Sequence, residues 1–453
     1  MSHADAGRRK LLIAAGAGVV AVPAIAALAR WGPGQEPTTP DGRLMLSADD
    51  GSDVGELEVA LDDRRLRPVD ASGRVVQDDG GGGAPSGRRV AGAETWSTGP
   101  LETTSFAMLG LTWRGSDPVL RVRTRSGGAW APWRSTPALA DGPDAGVEGD
   151  SSLRATDVTW VGRCDGVEVA VDGPRPEDLR LVLLDPAGRP TDATVVPDEP
   201  PTTASGGSSG ASTVSATVSS TVSARADDAA DDAADDPGVV PAASTATLWP
   251  KLYSRKTWGA DESWRSGTPT RNATLQQVHV HHTVNANDYS KAETPALLRG
   301  MYRYHTKSLG WSDIGYNFLV DRFGRIWVGR AGGPGRNVRG AHTLGFNDTS
   351  TGVSVIGNFE TARPSKAVIF AVTRVAAWKL EMHGRKPAGT ATVRSTGSDR
   401  YSAGATVKLP VIDGHRDTND TACPGSLLYA QLPLIRKRTR KRIARFKDGT
   451  LGA

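Results

Sequence analysis

Between residues 44 and 195 the chain shows short apolar stretches separated by turn signals. At residues 119–125, Leu120, Val122 and Thr124 alternate with Arg121, Arg123 and Arg125. That period of two belongs to a half-exposed strand. Similar stretches occur at 55–61, 105–113, 158–161, 167–171 and 179–184, and no helical period competes. Short strands at this spacing predict an all-β, sandwich-like domain over 44–195.

The pattern changes after residue 248. An apolar run at 277–281 predicts a strand. Residues 294–306 predict a helix, with Thr294 as N-cap, Pro295 at its first position, and Leu298, Met301, Tyr302 and His305 on one face. Residues 316–321 and 325–329 flank 322–324 as a hairpin, and 352–359 predict a further buried strand. Helices are predicted at 365–383 and from Pro424 to Lys447. Mixed order of this kind predicts an α/β domain over 248–447, with a central mixed β-sheet flanked by helices.

Two segments cannot build a core. Residues 201–247 are rich in Ser, Thr, Ala, Gly and Asp, with almost nothing large and apolar, and predict a flexible linker. Residues 1–29 place Arg8, Arg9 and Lys10 before an uncharged apolar run ending Ala27-Leu28-Ala29. They read as an export signal, twin-arginine-like in its paired Arg, so the protein is expected to be extracellular or cell-wall associated. Retention as a membrane anchor is the alternative.

The chain has 453 residues, 38% of them apolar and 23% charged, as in globular proteins with low-complexity padding. A net charge of +4 does not point to nucleic acid, and a monomer is expected. Two cysteines, Cys164 and Cys423, exclude a disulfide scaffold. Seven of the eight histidines lie at or after His279, so histidine-dependent chemistry belongs to the second body. In the first, Trp113, Trp130, Trp133 and Trp160 with the three arginines form either a carbohydrate- or polyanion-binding face or a core with a solvated side.

Among the possible metal donors are His281, at the end of the first α/β strand, and His415 and Cys423, eight residues apart. Two imidazoles and a thiolate suit Zn²⁺, and three protein ligands leave a fourth position for water. Zinc lowers the pKa of such a water from ~15.7 towards ~7. By spacing alone the set is weak, since two distant histidines and a cysteine recur in many chains.

The order of motifs is more specific. Val280-His-His-Thr283, the run from Leu309 to Asp321 with its Gly315-Tyr-Asn-Phe318, 324–330, Gly340-Ala-His-Thr343, 352–359, Gly414-His-Arg-Asp417 and Thr421-Ala-Cys-Pro-Gly425 follow one another over about 175 residues. In this the chain resembles the family of peptidoglycan recognition proteins and bacteriophage-type zinc N-acetylmuramoyl-L-alanine amidases. The resemblance implies one Zn²⁺ held by His281, His415 and Cys423, with Tyr316 and Thr421 as catalytic residues. It implies peptidoglycan as partner, and cleavage of the amide between N-acetylmuramic acid and L-alanine. Non-catalytic relatives typically lose the cysteine, so its presence favours an enzyme over a binding module. His342 is expected near the substrate groove, His279 either lines the groove or is a packed or exposed histidine, Arg416 and Asp417 are expected to support the ligands, and His282 to point away. His305 reads as structural. The segment 385–408 departs from compact members and predicts an extra hairpin. The basic helix at the C-terminus has either a solvated face or affinity for anionic wall polymer or membrane. With 201–247 as a tether, few contacts are expected between the two bodies.

Overall fold

The computed structural model describes residues 36–198, apart from 49, 71 and 77–94, and residues 248–451. The predicted export signal and linker lie outside the described residues. Among those described, no helix is long and apolar enough to cross a membrane.

The first body is all β, as expected. Its sheet runs in the order Val54–Ala60, Glu177–Pro186, Leu101–Arg114, Thr159–Asp172, Thr95–Ser97, Arg67–Val69, and Val119–Ser126 also pairs with Thr159–Asp172. The alternation at 119–125 is realised: Leu120, Val122 and Thr124 are buried in the core with Trp113. Arg121, Arg123 and Arg125 face outwards, salt-bridged to Asp172, Glu168 and Asp165 respectively. Trp130 and Trp133 stack on these guanidinium groups at 4.8–5.7 Å. That face is satisfied within itself, while Trp113 and Trp160 are core.

The second body holds a mixed sheet in the order Ile326–Val328, Phe318–Val320, Ser350–Val355, Gln277–His282, Ile412–Gly414, parallel except for the Phe318–Val320/Ile326–Val328 hairpin. The helix Lys366–Glu381, capped by Ser365, covers one side of it together with Leu432–Lys447. Two helix boundaries differ from expectation. Thr294 opens its helix rather than capping it, because Glu293 occupies the cap. The helix expected from Pro424 is two pieces, Ser426–Tyr429 and Leu432–Lys447. Pro433 lacks the N–H to continue a helix and instead sits in the first turn of a new one. Residues 385–408 form the predicted hairpin, Thr390–Arg394 against Thr406–Pro410.

The expectation of loosely coupled bodies is overturned. The described residues from Pro37 onwards belong to one compact unit. One apolar cluster joins Met108, Trp160, Val182 and Leu184 of the β domain to Leu297, Leu298, Met301 and Tyr304 of the helix Thr294–Arg303 and its continuing turn. Two glycines permit the fit. A Cβ on Gly110 would stand 2.6 Å from the Tyr304 ring, and one on Gly300 would stand 2.3 Å from Met108 Sδ. Tyr304 donates its hydroxyl towards the carbonyls of Leu111 and Thr156, at 3.2 and 3.1 Å. Arg299, 1% exposed, is clamped by Asp192 of the β domain at 2.8 Å. The composition of 201–247 predicts a tether and says nothing of this complementarity, because an amphipathic helix face looks the same whichever body covers it.

Candidate metal centre

His281 and His415 meet because their strands are parallel neighbours. Val280 pairs with Gly414, so the residue after each strand position reaches the same carboxyl edge, and the two rings lie 4.7 Å apart. Cys423 arrives on the following turn. Its Sγ lies 3.7 Å from His281 Nδ1 and receives the His282 amide at 3.4 Å. Asp417 holds this turn by accepting the Gly414 amide at 2.9 Å and the Tyr429 hydroxyl at 2.7 Å. Arg416 ties it to Ala422 and Glu360. Both residues support the ligand loop, as expected. The donor atoms of His281, His415 and Cys423 all lie within 4.8 Å of one another.

The chemistry of the set fits a metal. His281 Nε2 is hydrogen-bonded to His342 Nδ1 at 3.1 Å, which leaves His281 Nδ1 for a metal. Burial, only partly offset by Asp141, lowers the His281 pKa to about 4, so the ring is neutral as a ligand must be. Both ring nitrogens of His415 are buried without a hydrogen-bond partner. Burial pushes the Cys423 thiol well up, with Asp141 adding to the shift. A bound cation reverses this, since a coordinating thiol is deprotonated.

Tyr316 faces the same point, its ring 5.7 Å from that of His281. Burial, then the charges of Asp141 and Asp157, raises its phenol well above the usual value, so it stays a proton donor. Thr421 Oγ1 accepts the Cys423 amide at 3.2 Å and so shapes the ligand loop. His282 points away and accepts the Phe359 amide at 3.2 Å. His305, neutral because burial lowers its pKa to about 3, accepts the Gly315 amide.

Neither histidine weighed for the groove lies in it. His342 is fully buried behind His281, in a seat that exists because Gly340 and Gly352 lack side chains: a Cβ on either would come within 2.2 or 2.5 Å of its ring. His279 is fully buried and bonded to Asp413 at 2.5 Å. Both lie on the inward side of the strand edge, where they orient rather than meet substrate.

One residue at the centre was invisible in the sequence. Asp141, from the β-domain loop after residue 136, places Oδ1 3.1 Å from His281 Nδ1 and 2.9 Å from His415 Nδ1. Its Oδ2 accepts the Tyr316 hydroxyl at 2.5 Å. An aspartate 140 residues before the first ligand, in a Gly- and Asp-rich stretch, carries no motif signal.

A family profile described as N-acetylmuramoyl-L-alanine amidase matches residues 271–426. Another, described as Rv3811 N-terminal galactose-binding domain-like, matches residues 67–205. Peptidoglycan-recognition protein SC2 of Drosophila melanogaster is 32% identical over 187 residues, 41% of this chain and 87% of that relative. The human protein named N-acetylmuramoyl-L-alanine amidase is 32% identical over 185 residues, 40% of this chain and 27% of its own length. Among solved structures, wild-type Drosophila PGRP-LB aligns at 30% identity and a TM-score of 0.32, covering 40% of this chain and 91% of that one. With the first relative matched over most of its length on top of the amidase profile, the chain belongs to the family of peptidoglycan-recognition proteins and N-acetylmuramoyl-L-alanine amidases.

Proposed function

We propose that the protein is an exported, zinc-dependent N-acetylmuramoyl-L-alanine amidase acting on bacterial peptidoglycan. The observation that carries this is the convergence of His281, His415 and Cys423 on one buried point faced by the Tyr316 hydroxyl. Zinc held by these residues supplies a Lewis acid for the scissile carbonyl and a water of lowered pKa. The protein's own groups do the rest. His342 and Asp417 hold the ligand-bearing elements in position. Tyr316, neutral and buried, donates a hydrogen bond to the oxyanion that develops when the muramoyl–alanine amide is attacked. Arg330 and Arg339, in the cleft beside the site, are cationic partners for an anionic stem peptide. A module that bound peptidoglycan without cutting it would have no use for the complete donor set. Purified wall treated with the protein should release new L-alanine amino termini in a chelator-sensitive manner. No new termini after zinc loading, even with the residue 137–150 loop displaced, would overturn the assignment.

A further inference from the structure

The three metal donors and Tyr316 are closed off from solvent. His281 and His415 are fully buried, Tyr316 is 2% exposed and Cys423 8%. A polymeric substrate cannot reach a point enclosed in this way. What encloses it is the loop at 137–150, which leaves the β domain and lies along the second body. Three carboxylates anchor it. Glu148 binds Arg330 at 2.5 Å and accepts the Ser312 amide at 3.1 Å. Asp144 pairs with Arg339 and accepts the Gly345 amide at 2.6 Å. Asp141 reaches the metal donors. Between them, the Gly142 carbonyl accepts Asn347 Nδ2 at 3.0 Å.

The position of Asp141 suits a ligand as well as an ion-pair partner. Its Oδ1 is buried and makes no hydrogen bond, although two imidazole nitrogens lie within 3.1 Å. Such geometry arises when all three atoms aim at a common point instead of at one another. For tetrahedral zinc with ordinary bond lengths, N···O edges are about 3.4 Å and N···S edges about 3.6 Å. The His281–Cys423 edge of 3.7 Å matches that frame, and the two N···O edges of 2.9 and 3.1 Å are shorter, so Oδ1 would withdraw by a few tenths of an ångström to admit the ion. Oδ2 meanwhile occupies the Tyr316 hydroxyl that would otherwise face an oxyanion.

We infer that Asp141 is a fourth ligand of the metal, supplied by the β domain, and that the loop at 137–150 is an intramolecular inhibitor which must leave before substrate enters. This rests on the proposed amidase reading. A carboxylate in the fourth position displaces the water that a catalytic zinc site keeps. The anchors are polar side chains, largely buried while the loop is closed, that water takes up once it opens, so the loop can detach without breaking the apolar contact between the bodies. Residues Ala145 to Val147 at its tip are exposed, and Val147 is 48% exposed.

The test uses the full chain loaded with Zn²⁺, as wild type, Asp141→Ala, Asp141→Asn and the anchor variant Asp144→Ala/Glu148→Gln. Three quantities are read: zinc release to a chromophoric chelator, binding of soluble muropeptide, and its hydrolysis. Loss of a ligand should speed zinc release from both Asp141 variants by at least about tenfold. Muropeptide binding and hydrolysis should rise at least about tenfold in those variants and in the anchor variant, since a closed state lowers apparent affinity by its population. Asp141 variants that keep zinc as wild type does would overturn the ligand assignment. Asp141→Ala that binds muropeptide normally and no longer cleaves it would make Asp141 a catalytic base, and the inhibitor reading would fall. Faster zinc release and tighter muropeptide binding with no cleavage by any variant would uphold the inference and remove the amidase reading instead.

Discussion

The β domain touches the second body in two ways. One contact is apolar and interlocked: Tyr304 fits over Gly110, Gly300 over Met108, and Arg299 is sealed against Asp192. The other is a polar loop held by Asp141, Asp144 and Glu148 over the metal centre. Apolar burial is non-directional, resists separation and leaves each face unstable in water alone. Charged contacts are directional, and although these are largely buried, their groups regain hydration or another anion when they separate. The first contact therefore makes the two bodies a single folding unit. The second can open while that unit stays intact, so the β domain carries both a structural and a gating role.

Separating the bodies tests the first half of this comparison most severely. Residues 248–453 alone would expose Leu297, Met301 and Tyr304 and leave Arg299 without Asp192. Loss of one partner of a buried pair costs about 3–5 kcal/mol by itself. The fragment is expected to lack a cooperative thermal transition, and a sharp one near that of the full chain would show that the apolar contact is dispensable. Next in size, Tyr304→Ala in the full chain should lose about 3–5 kcal/mol in denaturant unfolding and keep its zinc stoichiometry. A change in zinc content would mean that the two contacts are not separable.

Two smaller effects probe the second half. In an Asp141→Ala background, Tyr316→Phe should retain zinc and slow turnover by about 10²-fold, the cost of one lost hydrogen bond to the oxyanion. Equal turnover would reduce Tyr316 to a packing residue. Smallest of all in stability, Glu148→Gln should shift unfolding by about 1–2 kcal/mol, because its amide oxygen can still accept from the largely buried Arg330 and from Ser312. A loss of several kcal/mol there would make the loop part of the fold rather than a gate.

The motifs of the second body were legible because each encodes a local requirement. A strand ending in histidine and a turn carrying Cys423 before Pro424 are constraints that neighbouring residues express directly. Strand alternation at 119–125 was equally readable, since period two reports which side is buried. The depth of His342 was not legible, and His279 stayed open between groove and packing, because sequence position marks proximity to the site without marking depth.

By itself, then, the sequence determined the fold class of both bodies through local periodicity, and the ordered motifs, through the family they resemble, pointed to His281, His415, Cys423 and Tyr316. Only the tertiary structure decided that the bodies share an apolar core, that His342 stands behind His281, and that Asp141 reaches the metal centre from the other domain. Those facts depend on shape complementarity between surfaces far apart in the chain, and no single stretch of residues carries the information that two such surfaces fit.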